Sequence, residues 1–195
     1  MASIDPSAFH PINVIDTCSV WNVLSSLLLY SASREAGCDF CITEFVRYEC
    51  LDKKRRTPTP AQNELAGRLR RERAKGVFAA HACSLDDLQD LKILESRMRL
   101  GKGELSSIAF AKRIGQAVLT DDRKAKRLSE ESGTRFTQTT PHLLSWLVFT
   151  GRLGDAGVAT VVADNRSMGL PLSPHFLNAH RMALECRLNA GPPRA

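Results

Sequence analysis

The sequence predicts an α/β protein: a three-layer α/β/α sandwich with a central parallel sheet of four to five strands, plus C-terminal helices. Two patterns predict it. Short apolar runs of four to six residues alternate with helical spacing through the first 140 residues, the signature of parallel strands covered on both faces. Beyond Pro141 the strand-like runs stop and only helical patterns follow. Length and composition agree with this class, since 195 residues with 43% hydrophobic and 25% charged side chains can bury a core without staples.

The elements follow in order. Ile12-Asn13-Val14-Ile15 is a compact apolar run ending at Asp16. Helical spacing comes next, with Val20, Val23, Leu24, Leu27 and Leu28 on one stripe. Cys38 to Thr43 reads as the second strand and Glu44 to about Lys54 as a helix. Pro58 and Pro60 interrupt the chain, and a highly charged helix runs from about Ala61 to Lys75. Val77 to Ala82 is the third strand. Ser84 with Asp87 forms a capping box, with Leu85, Leu88 and Leu91 behind it. Gly101-Lys102-Gly103 turns the chain into a helix from Glu104 to about Ile114. Gln116 to Thr120 is the fourth strand, Asp122 to Glu131 a helix, and Arg135 to Thr139 a short fifth strand. Three helical segments complete the chain: His142 to Thr150, Asp155 to Met168 and Ser173 to Leu188, with N-caps at Asp155 and Ser173. The reading is one α/β domain over residues 1–140 and a helical extension over 141–195, packed on that domain or on a partner. The extension carries two apolar stripes, Leu143-Leu144-Leu147-Val148 and Leu177-Leu184-Leu188, and both require cover. Trp21, Phe45 and Trp146 occupy helical apolar positions and are expected in the core.

Charge and cysteine content narrow the function classes. The chain carries 27 basic and 21 acidic residues, a net charge of +6 that permits a nucleic-acid partner without requiring one. Six cysteines show no disulfide-scaffold spacing, and the single Cys38-x-x-Cys41 lies in an apolar strand setting rather than a zinc ribbon. No apolar stretch is long enough to span a membrane, and no basic segment with an apolar core opens the chain. A reduced, cytoplasmic protein is the expectation. The five histidines lack zinc-site spacing, and no phosphate-binding glycine loop of NTPase or dinucleotide type is present.

Acidic residues carry the chemistry. Right-handed crossovers put every strand's carboxyl end on one sheet edge, where ligands bind in open parallel sheets. Asp16 follows strand one, and Asp121 and Asp122 follow strand four. Glu49 lies in the helix leaving strand two. Glu104 opens the helix running back before strand four, so it starts from the same edge. At any single position a turn former or helix cap explains the residue. Together, carboxylates from four segments raise one another's pKa and call for a cation. Hard oxygen ligands in this number suit Mg²⁺ or Mn²⁺, which activate a water and stabilise a phosphodiester in flight.

The residues resemble those of PIN-domain nucleases. Asn13-Val14-Ile15-Asp16-Thr17 with its apolar helix is similar to the family's opening, and Thr43-x5-Glu49 to its second acidic motif. Gly101-Lys102-Gly103-Glu104 is similar to the third in its Gly-Glu variant, and Leu119-Thr120-Asp121-Asp122 to the fourth. The resemblance covers about residues 11–140. It implies a metal-dependent ribonuclease of VapC-like type, often the toxin of a toxin–antitoxin pair, with RNA as substrate, an antitoxin protein as partner and a homodimer as assembly. Asp16, Glu104 and Asp121 would then hold Mg²⁺ or Mn²⁺, Glu49 would ligate directly or through water, and Asp122 would complete the site or replace Asp121. Thr17 and Thr120 would orient those carboxylates by hydrogen bonding. Lys53, Lys54, Arg55, Arg123 and Lys124, adjacent to acidic segments, would grip phosphates. The cations at Arg68, Arg70, Arg71 and Arg73 read equally well as a phosphate grip or as a solvated face with pairs such as Arg68–Glu72. The doubled Asp121-Asp122 and the extension depart from the family pattern. The other reading is a catalytically silent PIN-like module that binds RNA or protein. An acidic phosphatase ranks lower, because Asp16-Thr17-Cys18 lacks the Asp-x-Asp such enzymes use.

Overall fold

The computed structural model describes residues 5–54, 57–84, 86–89 and 100–190. Five strands, β1 (Ile12–Ile15), β2 (Asp39–Thr43), β3 (Ala79–His81), β4 (Ala117–Leu119) and β5 (Phe136–Gln138), form one sheet in the order β3-β2-β1-β4-β5. All pairings are parallel, with Val14 beside Cys41 on one side and Val118 on the other. The class is α/β, as the alternation predicts, and helices flank the sheet.

The chain divides into two compact units. The sheet unit holds His10–Trp21 and Cys38–Thr139. The helical unit joins residues 5–9 to Asn22–Gly37 and residues 140–190. Within the sheet unit lie α3 (Glu44–Arg47), α4 (Pro60–Ala74), α5 (Lys102–Ile114) and α6 (Arg123–Glu131). Helix α5 packs on β1, β2 and β4. Its Leu105, Ile108, Ala109, Phe110 and Ala111 form a core with Val14, Val118, Ala125 and Leu128. Gly115 ends α5 in the left-handed region at φ 66°, which lets the chain reverse into β4. Phe78 also has positive φ, 53°, and its fully buried ring stacks on Phe40 at 5.7 Å. Arg68 and Arg71 both pair with Glu64, while Arg70 and Arg73 donate to the Leu51 and Phe78 carbonyls. Glu64 thus takes two guanidinium groups of this run, and Glu72 pairs with Lys75.

Helices α1 (Thr17–Ser25) and α2 (Leu27–Glu35) are separate, which corrects the single stripe expected there. Ser26 sits between them with extended backbone, and its hydroxyl accepts from the Leu29 amide and donates to Asp164. The restart leaves Leu27 and Leu28 exposed. In the helical unit, α7 (Thr140–Phe149), α8 (Asp155–Ser167) and α9 (Ser173–Ala190) pack together. The cap of α8 is Gly154, not Asp155, which pairs with His180 at 3.0 Å. Leu143, Leu144, Leu147 and Val148 of α7 are buried. The α9 stripe, expected to be covered by its own domain or by a partner, is exposed within the chain at Leu177, Leu184 and Leu188, and Phe176, Ala179 and Ala183 are the buried residues. Alanine at 179 and 183 allows the close approach to α7 that leucines would block. Trp21, Phe45 and Trp146 are half-buried rather than core, and Trp146 stacks on Phe9 at 5.3 Å. The Ser84–Asp87 capping box forms in both directions. Leu88 is partly buried and packs against the core cluster of α5, while Leu85 and Leu91 lie outside the described residues.

Candidate active site

Sheet order decides where a ligand can enter. From β1 the chain proceeds outward through β2 to β3, then crosses to the other side of β1 for β4 and β5. The direction reverses between β1 and β4, and a crevice opens at such a point beyond the strands' carboxyl ends. Asp16 and Asp121 leave these two strands, so both stand at the reversal.

Asp16 is almost wholly buried, with 1% of its surface exposed. Its Oδ1 accepts the Ser19 amide at 2.8 Å and its carbonyl the Val20 amide, so it caps the first turn of α1. Oδ2 accepts the Thr120 hydroxyl. Burial nevertheless pushes this carboxyl up to about 7, against both hydrogen bonds, and the charge of Asp121 pushes the same way. The buried Ser19 hydroxyl lies close enough to favour the Asp16 charge slightly but makes no hydrogen bond of normal geometry.

Glu49 is carried by a π-helical turn, Tyr48–Asp52, that continues α3. Its Oε2 accepts the Thr17 hydroxyl at 2.6 Å, and its Oε1 the Gly103 amide at 3.3 Å. Gly103 is essential to this seat. A Cβ there would collide with Oε2 and lie 3.0 Å from Thr17 Oγ1. Glu104, in the first turn of α5, is half-buried, and its carboxyl is raised by burial and then by the charges of Glu49 and Asp122. Asp122 caps α6, its Oδ1 accepting the Lys124 and Ala125 amides at 2.8 Å each. That role occupies one oxygen of Asp122, whereas Asp121 is half-buried beside it.

The carboxylates act on one place. Cys18 is exposed as a residue, yet its thiol is pushed up to about 12, first by its densely packed surroundings and then by Asp16, Glu104, Asp121 and Asp122 together. Cys18, Ser19 and the Gly103 amide are absent from the sequence-based site. Ser19 alone had a readable signal, standing three residues after a capping aspartate. Lys53 and Lys54 are exposed beyond the π-helical turn, and Arg123 and Lys124 are exposed at the start of α6 next to Asp122. Arg55 lies outside the described residues.

No family model, curated protein or solved structure matches the chain. Among the described residues, no three His, Cys, Asp or Glu side chains stand close enough to hold a metal ion as they are placed. The donor chemistry itself suits a hard divalent cation: all oxygen, mutually repelling, with one carboxyl fully buried and one buried hydroxyl left without a partner. Among the described residues no helix is long and apolar enough to cross a membrane.

Proposed function

We propose that the protein is a divalent-cation-dependent ribonuclease of the PIN type, acting in the cytoplasm. One observation carries this reading: Asp16 and Asp121 leave β1 and β4 where the sheet order reverses, and Glu104 opens α5, which packs on both strands. Asp16, Glu104 and Asp121 would hold Mg²⁺ or Mn²⁺, with Glu49 and Asp122 completing the anionic edge. A cation bound there supplies charge neutralisation at a phosphodiester and activation of the attacking water. The chain's own residues do the rest. Thr120 and the Ser19 amide fix the direction of both Asp16 oxygens. Thr17 and the Gly103 amide fix Glu49. The Asp16 carboxyl, protonated below about pH 7 without a cation, releases its proton when the edge is neutralised. Lys53, Lys54, Arg123 and Lys124 attract the RNA backbone.

The decisive experiment incubates mixed RNAs with the protein and Mg²⁺, then with EDTA, alongside Asp16→Asn. Cleavage that survives EDTA or the substitution overturns the mechanism. A toxin role, with an antitoxin as partner, is a further step of the proposal. Inducing the gene alone should slow growth, and unimpaired growth removes that step while leaving the nuclease intact.

The open spacing of the carboxylates favours a second reading, a silent module that binds RNA without cutting it. Calorimetric titration separates the two. Mn²⁺ binding supports the nuclease, and RNA affinity without Mn²⁺ binding supports the module.

A further inference from the structure

The π-helical turn that carries Glu49 also shows a face to solvent. Glu49 turns inward, onto the Thr17 hydroxyl and the Gly103 amide. Tyr48, one residue before it, is 52% exposed and is the one aromatic among the exposed large apolar residues described. Its ring offers a flat π face on which any nucleobase can stack.

Cations gather at the other end of the same turn. Arg70 of α4 donates to the Leu51 carbonyl at 3.4 Å, which fixes its guanidinium there, and Lys53 and Lys54 follow the turn directly. All three are exposed, and among the described residues none of them pairs with a carboxylate. Their basic neighbours are neutralised, Arg47 by Glu44 and Asp52, and Arg68 and Arg71 by Glu64. From Tyr48 to Asp52 the turn rises at most about 6 Å, so ring and cations stand within reach of neighbouring nucleotides. We infer that this turn is a nucleotide subsite beside the carboxylates: the Tyr48 ring stacks a base of the substrate RNA, and Arg70, Lys53 and Lys54 hold the adjoining phosphates. The guanidinium fork matches phosphate oxygens. An acidic protein would satisfy the cations and leave the ring without a base. The inference rests on the ribonuclease reading and names where its substrate lies. It also divides the α4 cations, giving Arg70 to phosphate and leaving Arg68 and Arg71 to a self-paired helix face.

Fluorescence anisotropy of a short labelled single-stranded RNA on the full chain, in EDTA over a salt series, tests it. Tyr48→Ala should weaken binding about tenfold with the salt slope unchanged, and Tyr48→Phe should bind as the wild type does. Arg70→Gln should lower the slope of log K against log salt by about 0.7, the value of one phosphate contact. Arg70→Lys should keep the slope. Arg71→Gln removes a side chain that is 60% exposed but paired, and should leave the slope as it is. Circular dichroism confirms that each variant folds. Affinity indifferent to Tyr48→Ala overturns the subsite, as do Arg70→Gln and Arg71→Gln acting alike. Polyglutamate bound as tightly as RNA overturns it too, in favour of an acidic protein partner. If the same preparation still cuts RNA with Mg²⁺ and stops in EDTA, the ribonuclease survives the loss of the subsite. A chain that neither binds nor cuts RNA loses both.

Discussion

The two units of this protein break the same rule in opposite directions. The sheet unit buries what a fold ordinarily exposes: Asp16, Thr120, Thr43, Ser106 and Ser107 are all withdrawn from water near the sheet's carboxyl edge. The helical unit exposes what a fold ordinarily buries, the leucines of α9. Polar burial costs free energy unless each group is paired, and here most of them are. Thr43 and Ser106 share a 2.6 Å hydrogen bond, Ser106 also donates to the Gly103 carbonyl, and Ser107 donates to the Ile15 carbonyl. Asp16 and Glu49 are hydrogen-bonded as well, yet burial and neighbouring carboxylates still raise Asp16 and Glu104. Departures of this kind, costly and local, mark the parts of a sequence that answer to something other than stability.

The helical unit offers the largest test of that contrast, because α7 and α9 carry leucines of similar spacing with opposite burial. Leu147→Ala, in the buried stripe, should cost about 2–5 kcal/mol in urea unfolding. Leu188→Ala, on the exposed stripe, should change stability by less than about 0.5 kcal/mol in dilute protein. Equal costs would mean that the two stripes are not in different environments, and the comparison would fail.

The sheet unit should respond to pH where the helical unit does not. Without a cation, folded Asp16 holds its proton up to about 7, whereas the unfolded carboxyl loses it near the ordinary 3.8. Between these values the folded state binds more protons, so stability falls as pH rises, and the contribution present below about 4 is gone above about 7. Integrated over this window the loss is at most about 4 kcal/mol. Asp16→Asn, which keeps the shape and removes the titration, should flatten the slope. At pH 8, Mn²⁺ should raise the melting temperature of the wild type and leave Asp16→Asn unmoved. A wild-type stability that is level from pH 4 to 8 would remove the buried-carboxyl argument.

These contrasts were unequally legible in the sequence. All five strands lie within two residues of the runs that announced them. Covering on both faces explains this for the central β1 and β4. The edge strands β3 and β5 carry exposed or polar residues and were placed by the alternation with helices. The carboxylates could be assigned to the sheet edge by counting residues per layer. Their separation could not, because it depends on the π-helical turn under Glu49 and on the two capping roles of Asp16 and Asp122. The α9 face was half legible for a physical reason: periodicity shows that a helix has an apolar side and does not show whether its own unit covers it. Phe176, Ala179 and Ala183 also keep helical spacing, but small side chains carry little hydropathy weight. The break at Ser26 was hidden by counting Val23, Leu24, Leu27 and Leu28 as one stripe across it.

Gly103 sharpens the comparison within the sheet unit, since it separates site geometry from folding. Its backbone is helical, so Gly103→Ala should stabilise α5 by up to about 1 kcal/mol. The new Cβ would nevertheless displace the Glu49 carboxylate from the Gly103 amide and the Thr17 hydroxyl. Losing the partners that orient a ligand typically costs about 10–100-fold in metal affinity or activity. Calorimetric Mn²⁺ titration should show a loss in that range while the melting temperature holds or rises. Unchanged affinity would show that the seat of Glu49 has no part in binding.

The smallest effect examines the convergence itself, and Cys18 is its natural reporter. Cys18 is exposed and so within reach of a reagent, yet its thiol is pushed up to about 12, first by its densely packed surroundings and then by four carboxylates. Alkylation proceeds through the thiolate, so Cys18 should label slowly at pH 9. Removing one carboxylate charge should lower the thiol's pKa by a fraction of a unit, because the remaining charges and the packed surroundings persist. Glu104→Gln and Asp121→Asn should therefore each raise the labelling rate by about threefold at constant pH. Mass spectrometry of the digested protein measures this residue by residue, with half-buried Cys186 on α9 as the internal control. The two substitutions lie on different elements, one on α5 and one after β4. If both accelerate Cys18 and neither changes Cys186, the carboxylates share one electrostatic neighbourhood. If either leaves Cys18 unchanged, that carboxylate does not belong to the cluster, and the four-segment edge reduces to separate helix caps.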